Sequence, residues 1–254
     1  MLGNRNFATG VLLITVMGAI LYASIALLPL FLQTLLGYPA LQSGKAITPR
    51  GFGALASMVV VGWLVRRMDN RALVAFGFVL LAGATWMLGR LNLDIAMRDV
   101  VWPNVIAGVA MGFIFVPLTT VSLGNLRNEQ IGSATGIYNL MRNLGGSAGI
   151  AVVTTLLARG AQSHQAALVG NLTAYDSESQ QWLEDLTAAL AAEGDPATAS
   201  KQAQGLLYGM VQRQATLLAF IDDFRLISVL CLACVPLVLL FRKVRPAEAP
   251  VGAH

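Results

Sequence analysis

Long apolar runs separated by short polar segments dominate the hydrophobic pattern of this chain. Six of these runs reach the ~20 residues that an α-helix needs to cross ~30 Å of hydrocarbon. They predict transmembrane helices at about residues 7–36, 43–65, 72–89, 100–123, 131–158 and 217–241, which we name helices a to f. The pattern therefore predicts an all-α, polytopic membrane protein with residues 1–159 forming helices a to e.

A longer polar segment, residues 160–216, separates helices e and f. Gln180–Glu193 has the period of an amphipathic helix, with Trp182, Leu183, Leu186 and Leu190 on one stripe. Residues 194–196 read Gly-Asp-Pro and break that helix, and Ala197–Gln214 predicts a second helix that runs into helix f. We therefore expect an external helical loop at 160–216, helix f at 217–241 and a cytoplasmic tail at 242–254.

Composition narrows the class further. The chain is 56% hydrophobic and 12% charged, with a mean hydropathy of +0.66, whereas soluble domains carry about 25% charged residues. The net charge is +4, but no basic cluster is interleaved with aromatic residues, so we expect no nucleic-acid partner. We find no histidine spacing for a metal, no Walker loop and no nucleophile elbow, so the chain is not expected to be an enzyme.

Lysines and arginines in the short loops predict the orientation. The loop between helices b and c reads RRMDNR, and the tail contains RKVR. If six helices alternate in direction, both segments lie on the same side of the membrane. We therefore expect both termini to be cytoplasmic.

Arg142 lies near the middle of helix e, about 11 residues or roughly 17 Å from its start. A charge at that depth costs at least ~2.5 kcal/mol unless it faces a cavity or a partner. Asn139 shares its helical face, and Asn143 follows it directly. Two interpretations stay open: a structural arginine bonded to carbonyls of a neighbouring helix, and a cavity residue that binds an anionic group or pairs with a carboxylate.

Four further charged residues should lie at similar depth near the outer face. Arg50 lies a turn or two inside helix b, while Asp222, Asp223 and Arg225 open helix f. Asp222 and Arg225 are at i, i+3 and can pair. The pattern favours an ion-pair cluster that closes the outer end, with a proton-carrying role for either aspartate and snorkelling at the interface as alternatives.

Small and aromatic residues give two more candidate sets. Glycines spaced by four let helices approach closely, and we interpret six of them as packing positions: Gly108, Gly112, Gly132, Gly136, Gly145 and Gly149. Tyr22, Gln33 and Phe115 belong to a weakly polar, aromatic surface on helices a and d. Such a surface suits amphiphilic small molecules, although the same residues also suit ordinary packing.

Three stretches resemble the fourteen-helix drug:proton antiporters of the major facilitator superfamily. They are PLFLQTLLGYPALQSGKAITPRGFGA (Pro29–Ala54), GIYNLMRNLGGSAGIAVVTTLL (Gly136–Leu157) and RQATLLAFIDDF (Arg213–Phe224). A further stretch, residues 62–71, lies where the superfamily's cytoplasmic loop motif recurs. Its candidate residues are Gly62, Arg66, Arg67, Asp69 and Arg71, with Arg66 at the position that aspartate usually holds.

The resemblance implies that helices a to f are the last six of fourteen and form one half-bundle of such a transporter. Helices b and e would meet the N-terminal half, and helices a and d would face a central cavity. The implied function is proton-driven multidrug efflux by alternating access in a bacterial cytoplasmic (inner) membrane. The proton gradient would be the coupling ion, with the titrating carboxylate in the N-terminal half and no other cofactor.

The implied partners are the lipid bilayer, the N-terminal transmembrane half in the same or a separate chain, an amphiphilic substrate, and membrane-fusion and outer-membrane efflux proteins. Two other functions remain open from the residues. One is the export of a metabolite such as an organic anion or siderophore. The other is a non-transporting, truncated or accessory membrane protein.

Overall fold

The computed structural model describes residues 5–124, 126, 128–171, 177–193, 195–239 and 241. Regular structure in these residues consists of α-helices, in the order α1 (Arg5–Thr34), α2 (Ala40–Leu64), α3 (Asn70–Leu88), α4 (Met97–Leu123), α5 (Asn128–Asn171), α6 (Ser177–Glu193) and α7 (Pro196–Val238). Helices a to d correspond to α1 to α4. The start of helix e lies within three residues of the start of α5.

Local chemistry fixes several helix ends. Gly37 adopts a left-handed φ of 68° after α1, and the Tyr38 N–H donates to the Leu32 carbonyl at 3.0 Å, which closes the helix. Pro39 then precedes α2. Asp69 caps α3 by accepting a hydrogen bond from the Arg71 N–H at 3.1 Å. The residues at the helix ends therefore explain the short connections that join α1 to α2 and α2 to α3.

The α-helix that contains predicted span e runs past residue 158, where the span is predicted to end. α5 continues to Asn171 and has 44 residues, and α7 has 43 residues. At ~1.5 Å per residue each is roughly 65 Å long, about twice the hydrocarbon thickness. The apolar pattern ends near residue 158, but no proline follows it and the sequence stays rich in alanine, so the helix continues through polar residues.

Five of the helices are long and apolar enough to cross a membrane: α1, α2, α3, α4 and α5. The sixth predicted span, residues 217–241, lies mostly in α7, and three charged residues interrupt it near its start: Asp222, Asp223 and Arg225. Its crossing of the membrane stays a prediction.

The chain divides into two compact units, Met1–Val153 with Phe224–His254, and Thr154–Asp223. The second unit contains the distal part of α5, α6 and the first part of α7. Inside it, Gln165 Nε2 donates to the Tyr208 hydroxyl at 3.0 Å, and Gly160 lies against Ala219. The described residues of the predicted 160–216 loop are therefore almost all helical and belong to this second unit.

Glycine contacts set the packing of the first unit. A Cβ added at Gly145 would meet the Thr15 carbonyl, and one added at Gly149 would meet the Ala19 backbone. Because both residue numbers rise together, α1 and α5 run parallel. By the same argument α2 and α4 run parallel, since Gly108 meets the backbone of Arg50 and Gly112 meets Ser57. These pairings agree with helices that alternate in direction.

Candidate functional site

Arg142 lies on the face of α5 that packs against α1 and α4. Its carbonyl is in close contact with Gly18 of α1, and its Cζ atom lies 5.9 Å from the centre of the Phe115 ring in α4. The residue is partly exposed, but Nε is buried and has no hydrogen-bond partner among the described residues. Arg142 therefore combines packing through its backbone with a side chain that is only partly satisfied.

Tyr138, one helical turn before Arg142, belongs to the same site and was not among the predicted site residues. Tyr138 is 4% exposed, and its hydroxyl approaches Thr119, Ser122 and the Arg142 charge. Thr119 and Ser122 lie close to that hydroxyl, but no described residue meets it at full hydrogen-bond distance and angle. Its spacing of four from Arg142 was the available sequence signal, since residues at i, i+4 share a helical face.

None of the described helices α1, α4 and α5 places an acid near Arg142. α1 has none, the only acid of α4 is Asp99, and the only acid of α5 is Glu129. Glu129 lies 13 residues from Arg142, roughly 20 Å along α5. Asp99 is as remote, because it is in the first turn of α4, more than four turns from Phe115. The positive charge is thus uncompensated within these three helices.

Of the other predicted cavity residues, Tyr22, Asn139 and Asn143 lie near Arg142, whereas Gln33 does not. Tyr22 lies next to the site, because its ring meets the position where a Cβ on Gly146 would stand. Asn139 is partly exposed and Asn143 is exposed on α5. Gln33 is exposed near the end of α1, about 17 Å from Tyr22 by helical rise, so it lies away from the other cavity candidates.

Arg50, predicted to lie in the outer ion-pair cluster, is buried in the first unit at 6% exposure. Its Nη2 donates to the Ser24 hydroxyl of α1 at 2.9 Å, and its Nε has no hydrogen-bond partner among the described residues. Ser24 is 26 residues away in sequence, so nothing in the sequence pointed to this pair. The proline before Arg50 does not break α2.

The charged residues at the start of helix f have separate neighbours. Asp222 Oδ2 lies 2.8 Å from His164 Nε2, a histidine that the sequence analysis left without a role. Asp223 is only 3% exposed, and its Oδ2 has no hydrogen-bond partner among the residues that are described. Arg225 is exposed and lies over the Trp86 ring at 5.9 Å. The predicted ion-pair cluster stays a prediction.

The residues of the loop motif have local structural roles. Asp69 caps α3, and the Arg67 guanidinium stacks over the Trp63 ring at 3.9 Å. Arg66 is exposed, and open space surrounds Gly62. The described residues also hold no group of three or more His, Cys, Asp and Glu side chains that could bind a metal ion.

Residues 1–150 match the family model described as Major Facilitator Superfamily, which is more than half of the chain. The chain belongs to the Major Facilitator Superfamily. Its predicted fold class, an all-α polytopic membrane protein, is thereby confirmed, as is the resemblance to this superfamily.

Curated members of the Major Facilitator Superfamily match over long stretches. The chain is 29% identical over 252 residues to the fatty acid resistance protein FarB of Neisseria gonorrhoeae, covering 99% of the chain and 48% of FarB. It is 30% identical over 178 residues to the multidrug export protein EmrB of Escherichia coli (strain K12), covering 70% of the chain and 35% of EmrB.

A third relative is the colistin resistance protein EmrB of Acinetobacter baumannii, 24% identical over 227 residues, covering 89% of the chain and 44% of that protein. The chain spans about half the length of the curated relatives it matches, and the match is to their C-terminal half.

Proposed function

We propose that this chain is the C-terminal half of a proton-driven multidrug efflux transporter that works by alternating access. The observation that carries this proposal is the bare apolar surface of α2 and α5. Only 22% of the apolar window of each is buried, against 61% for α1, 50% for α3 and 56% for α4. Two faces so poorly covered fit a half-bundle that packs against a second half-bundle.

Glycines with open space around them on the same two helices indicate that protein, and not lipid, covers these faces. A Cβ would meet nothing at Gly44, Gly51 and Gly62 of α2, or at Gly132 and Gly136 of α5. Small residues do not improve the packing of a helix against lipid chains, but they let the backbones of two helices approach closely. We therefore propose that the N-terminal transmembrane half, in the same or a separate chain, covers these faces.

The site around Arg142 and Phe115 suits an amphiphilic substrate, because an aromatic surface lies beside a single charge. The relatives are named for multidrug export, fatty acid resistance and colistin resistance, which also supports amphiphilic substrates. The uncompensated arginine favours one alternative, the export of an organic anion or a siderophore-like metabolite.

We further propose that protons supply the coupling and that no other cofactor is needed. α1 contains no acid, and the acids of α4 and α5 lie in their first turns, so these helices offer no titrating carboxylate near Arg142. The carboxylate that exchanges protons is therefore assigned to the N-terminal half.

The proposed location is the bacterial cytoplasmic (inner) membrane with both termini cytoplasmic. The arginines between α2 and α3 then face the cytoplasm, and residues 160–216, which belong to the second unit, lie outside. Exposed apolar side chains in that unit support contact with membrane-fusion and outer-membrane efflux proteins; they are Val169, Trp182, Leu206, Tyr208 and Met210.

The test is efflux of a fluorescent dye from bacteria that lack their own exporters. The chain is co-expressed with the N-terminal half of a matching transporter, and efflux is measured with and without an uncoupler. We expect uncoupler-sensitive efflux that neither half gives alone. Absence of any gain over the N-terminal half alone would show a non-transporting protein.

A matched pair of variants tests the proposed interface. Gly136→Leu fills open space on α5, and Gly83→Leu fills open space on α3, which is already half covered. We expect Gly136→Leu to abolish co-purification of the two halves while Gly83→Leu leaves it intact. Equal effects of the two variants would contradict the assignment of the α5 face to the partner half.

A further inference from the structure

We propose that Arg142 and Tyr138 form a binding site for the carboxylate of an amphiphilic substrate. The inference rests on the proposed transport function and narrows its substrate class. Both residues present hydrogen-bond donors without a partner among the described residues, the buried Nε of Arg142 and the hydroxyl of Tyr138. Both lie on one face of α5, one turn apart, and point toward α4.

The chemistry of the site calls for an acceptor with negative charge. Arg142 has only donors, and a phenol that donates completes its hydrogen bonding with an acceptor. A carboxylate can accept from a guanidinium and a phenol together, and charge-assisted hydrogen bonds of this kind are the strong ones. A cationic headgroup would add a second positive charge beside an arginine that has no counter-charge within α1, α4 and α5.

The direction in which Arg142 points indicates that its guanidinium binds a ligand, and not a carboxylate of the N-terminal half. Leu140 and Leu144 are 57% and 54% exposed and lie on the open face of α5. At ~100° per residue, Arg142 points about 160° away from Leu140, toward Gly18 and Phe115. A helix that covers the leucine face therefore packs on the opposite side of α5 from the guanidinium.

The apolar part of the ligand has a surface next to the charge. The Phe115 ring lies 5.9 Å from Arg142 Cζ, and the Tyr22 ring packs at Gly146 one turn above. Aromatic rings beside a guanidinium accept flat apolar groups while leaving the donors free for the headgroup. The combination assigns the site to a carboxylate attached to an aromatic or other bulky apolar group.

A separate apolar crevice of about 230 Å³ lies between α1, α5 and α7, lined by residues such as Ala23, Val152 and Leu230. Neither Arg142 nor Tyr138 is among the residues that line it. The crevice therefore takes no part in the proposed headgroup site.

The test is direct binding to the purified chain in lipid nanodiscs, which requires no transport. The probes are pyrenebutyrate, its neutral primary amide and a trimethylammonium analogue, followed by fluorescence anisotropy. We expect the wild-type chain to bind the carboxylate about tenfold or more tightly than the amide, and the cation most weakly. Equal binding of acid and amide by the wild-type chain overturns the proposal, whatever the variants do.

Variants of the chain test which side chains produce the preference for the acid over the amide. Arg142→Gln should remove the preference for the acid, and Tyr138→Phe should lower it about threefold to tenfold without changing amide binding. The matched controls are Arg90→Gln, which removes an arginine stacked over Trp86 at 5.7 Å, and Tyr38→Phe; both should keep the preference. An unchanged preference in Tyr138→Phe shows that its hydroxyl does not contact the carboxylate, and overturns its role.

A final measurement distinguishes a bound ligand at Arg142 from a carboxylate of the N-terminal half. The measurement is repeated on the chain co-purified with an N-terminal half. Retention of the preference supports a ligand site, while its complete loss indicates a carboxylate of the partner half at Arg142 and overturns the proposal. Acid-selective binding without dye efflux would refute the transport function and leave the site standing.

Discussion

Gly149→Ala tests the packing of α5 on α1 most directly. The added Cβ would stand 2.6 Å from the Ala19 Cα, whereas ordinary contacts of this kind lie at 3.4–4 Å. The obstructing atoms belong to the backbone and cannot rotate away, so the two helices must separate by about 1 Å. Overpacking of this kind typically costs about 1–3 kcal/mol.

Gly136→Ala provides the matched control. It is the same substitution in the same helix, but nothing lies within 4 Å of the added Cβ. Both variants gain the same helix propensity, about 1 kcal/mol at most, so that contribution cancels in the comparison. Gly149→Ala is therefore expected to be less stable than Gly136→Ala by about 1–3 kcal/mol.

The assay is unfolding of the purified chain in mixed detergent micelles by titration with dodecyl sulfate, monitored by far-ultraviolet circular dichroism. The difference in free energy of unfolding between the two variants is the measured quantity. If Gly149→Ala proves as stable as Gly136→Ala, the close α1–α5 contact does not carry the packing assigned to it.

Three further predictions use the same unfolding assay. Ser24→Ala removes the hydroxyl bonded to the buried Arg50 and should lower the free energy of unfolding by about 1–3 kcal/mol. Ser147→Ala removes an exposed hydroxyl and should lower it far less. Equal losses in the two variants would contradict the buried hydrogen bond. Asp69→Ala removes the cap of α3 and should cost about 1 kcal/mol, with Asp69→Asn restoring most of it. Asp223→Asn should leave stability unchanged or slightly raised, because the buried Oδ2 of Asp223 has no hydrogen-bond partner among the described residues to stabilise its charge; a loss above about 2 kcal/mol would indicate an ion pair.

The elements that followed from sequence are those that depend on local pattern. Helices α1 to α4 begin and end within three residues of the predicted bounds, because apolar runs, Gly37, Pro39 and Asp69 act on their immediate neighbours. The break before α7 followed from the Gly-Asp-Pro stretch in the same way. The far end of α5 did not, because loss of hydrophobicity marks the end of a membrane span and not the end of a helix.

Part of the candidate site also followed from local spacing. Arg142 was identified by its depth in an apolar helix, and the pairing of Gly145 and Gly149 by their spacing of four. Tyr138 was missed even though it lies one turn from Arg142, since a tyrosine in an apolar helix resembles ordinary packing. Its significance comes from a buried hydroxyl without a hydrogen bond, which is a property of the surroundings.

The sequence by itself determined the membrane class, the order of the helices and the depth at which charges occur, because each depends on neighbours along the chain. Only the tertiary structure decided that Arg50 bonds to Ser24, that Asp222 bonds to His164 and that Arg142 faces Phe115. These pairs join residues 26 to 58 positions apart, and their geometry is set by how helices pack side by side. Which glycines are covered and which lie open is decided in the same way, by the faces that neighbouring helices leave free.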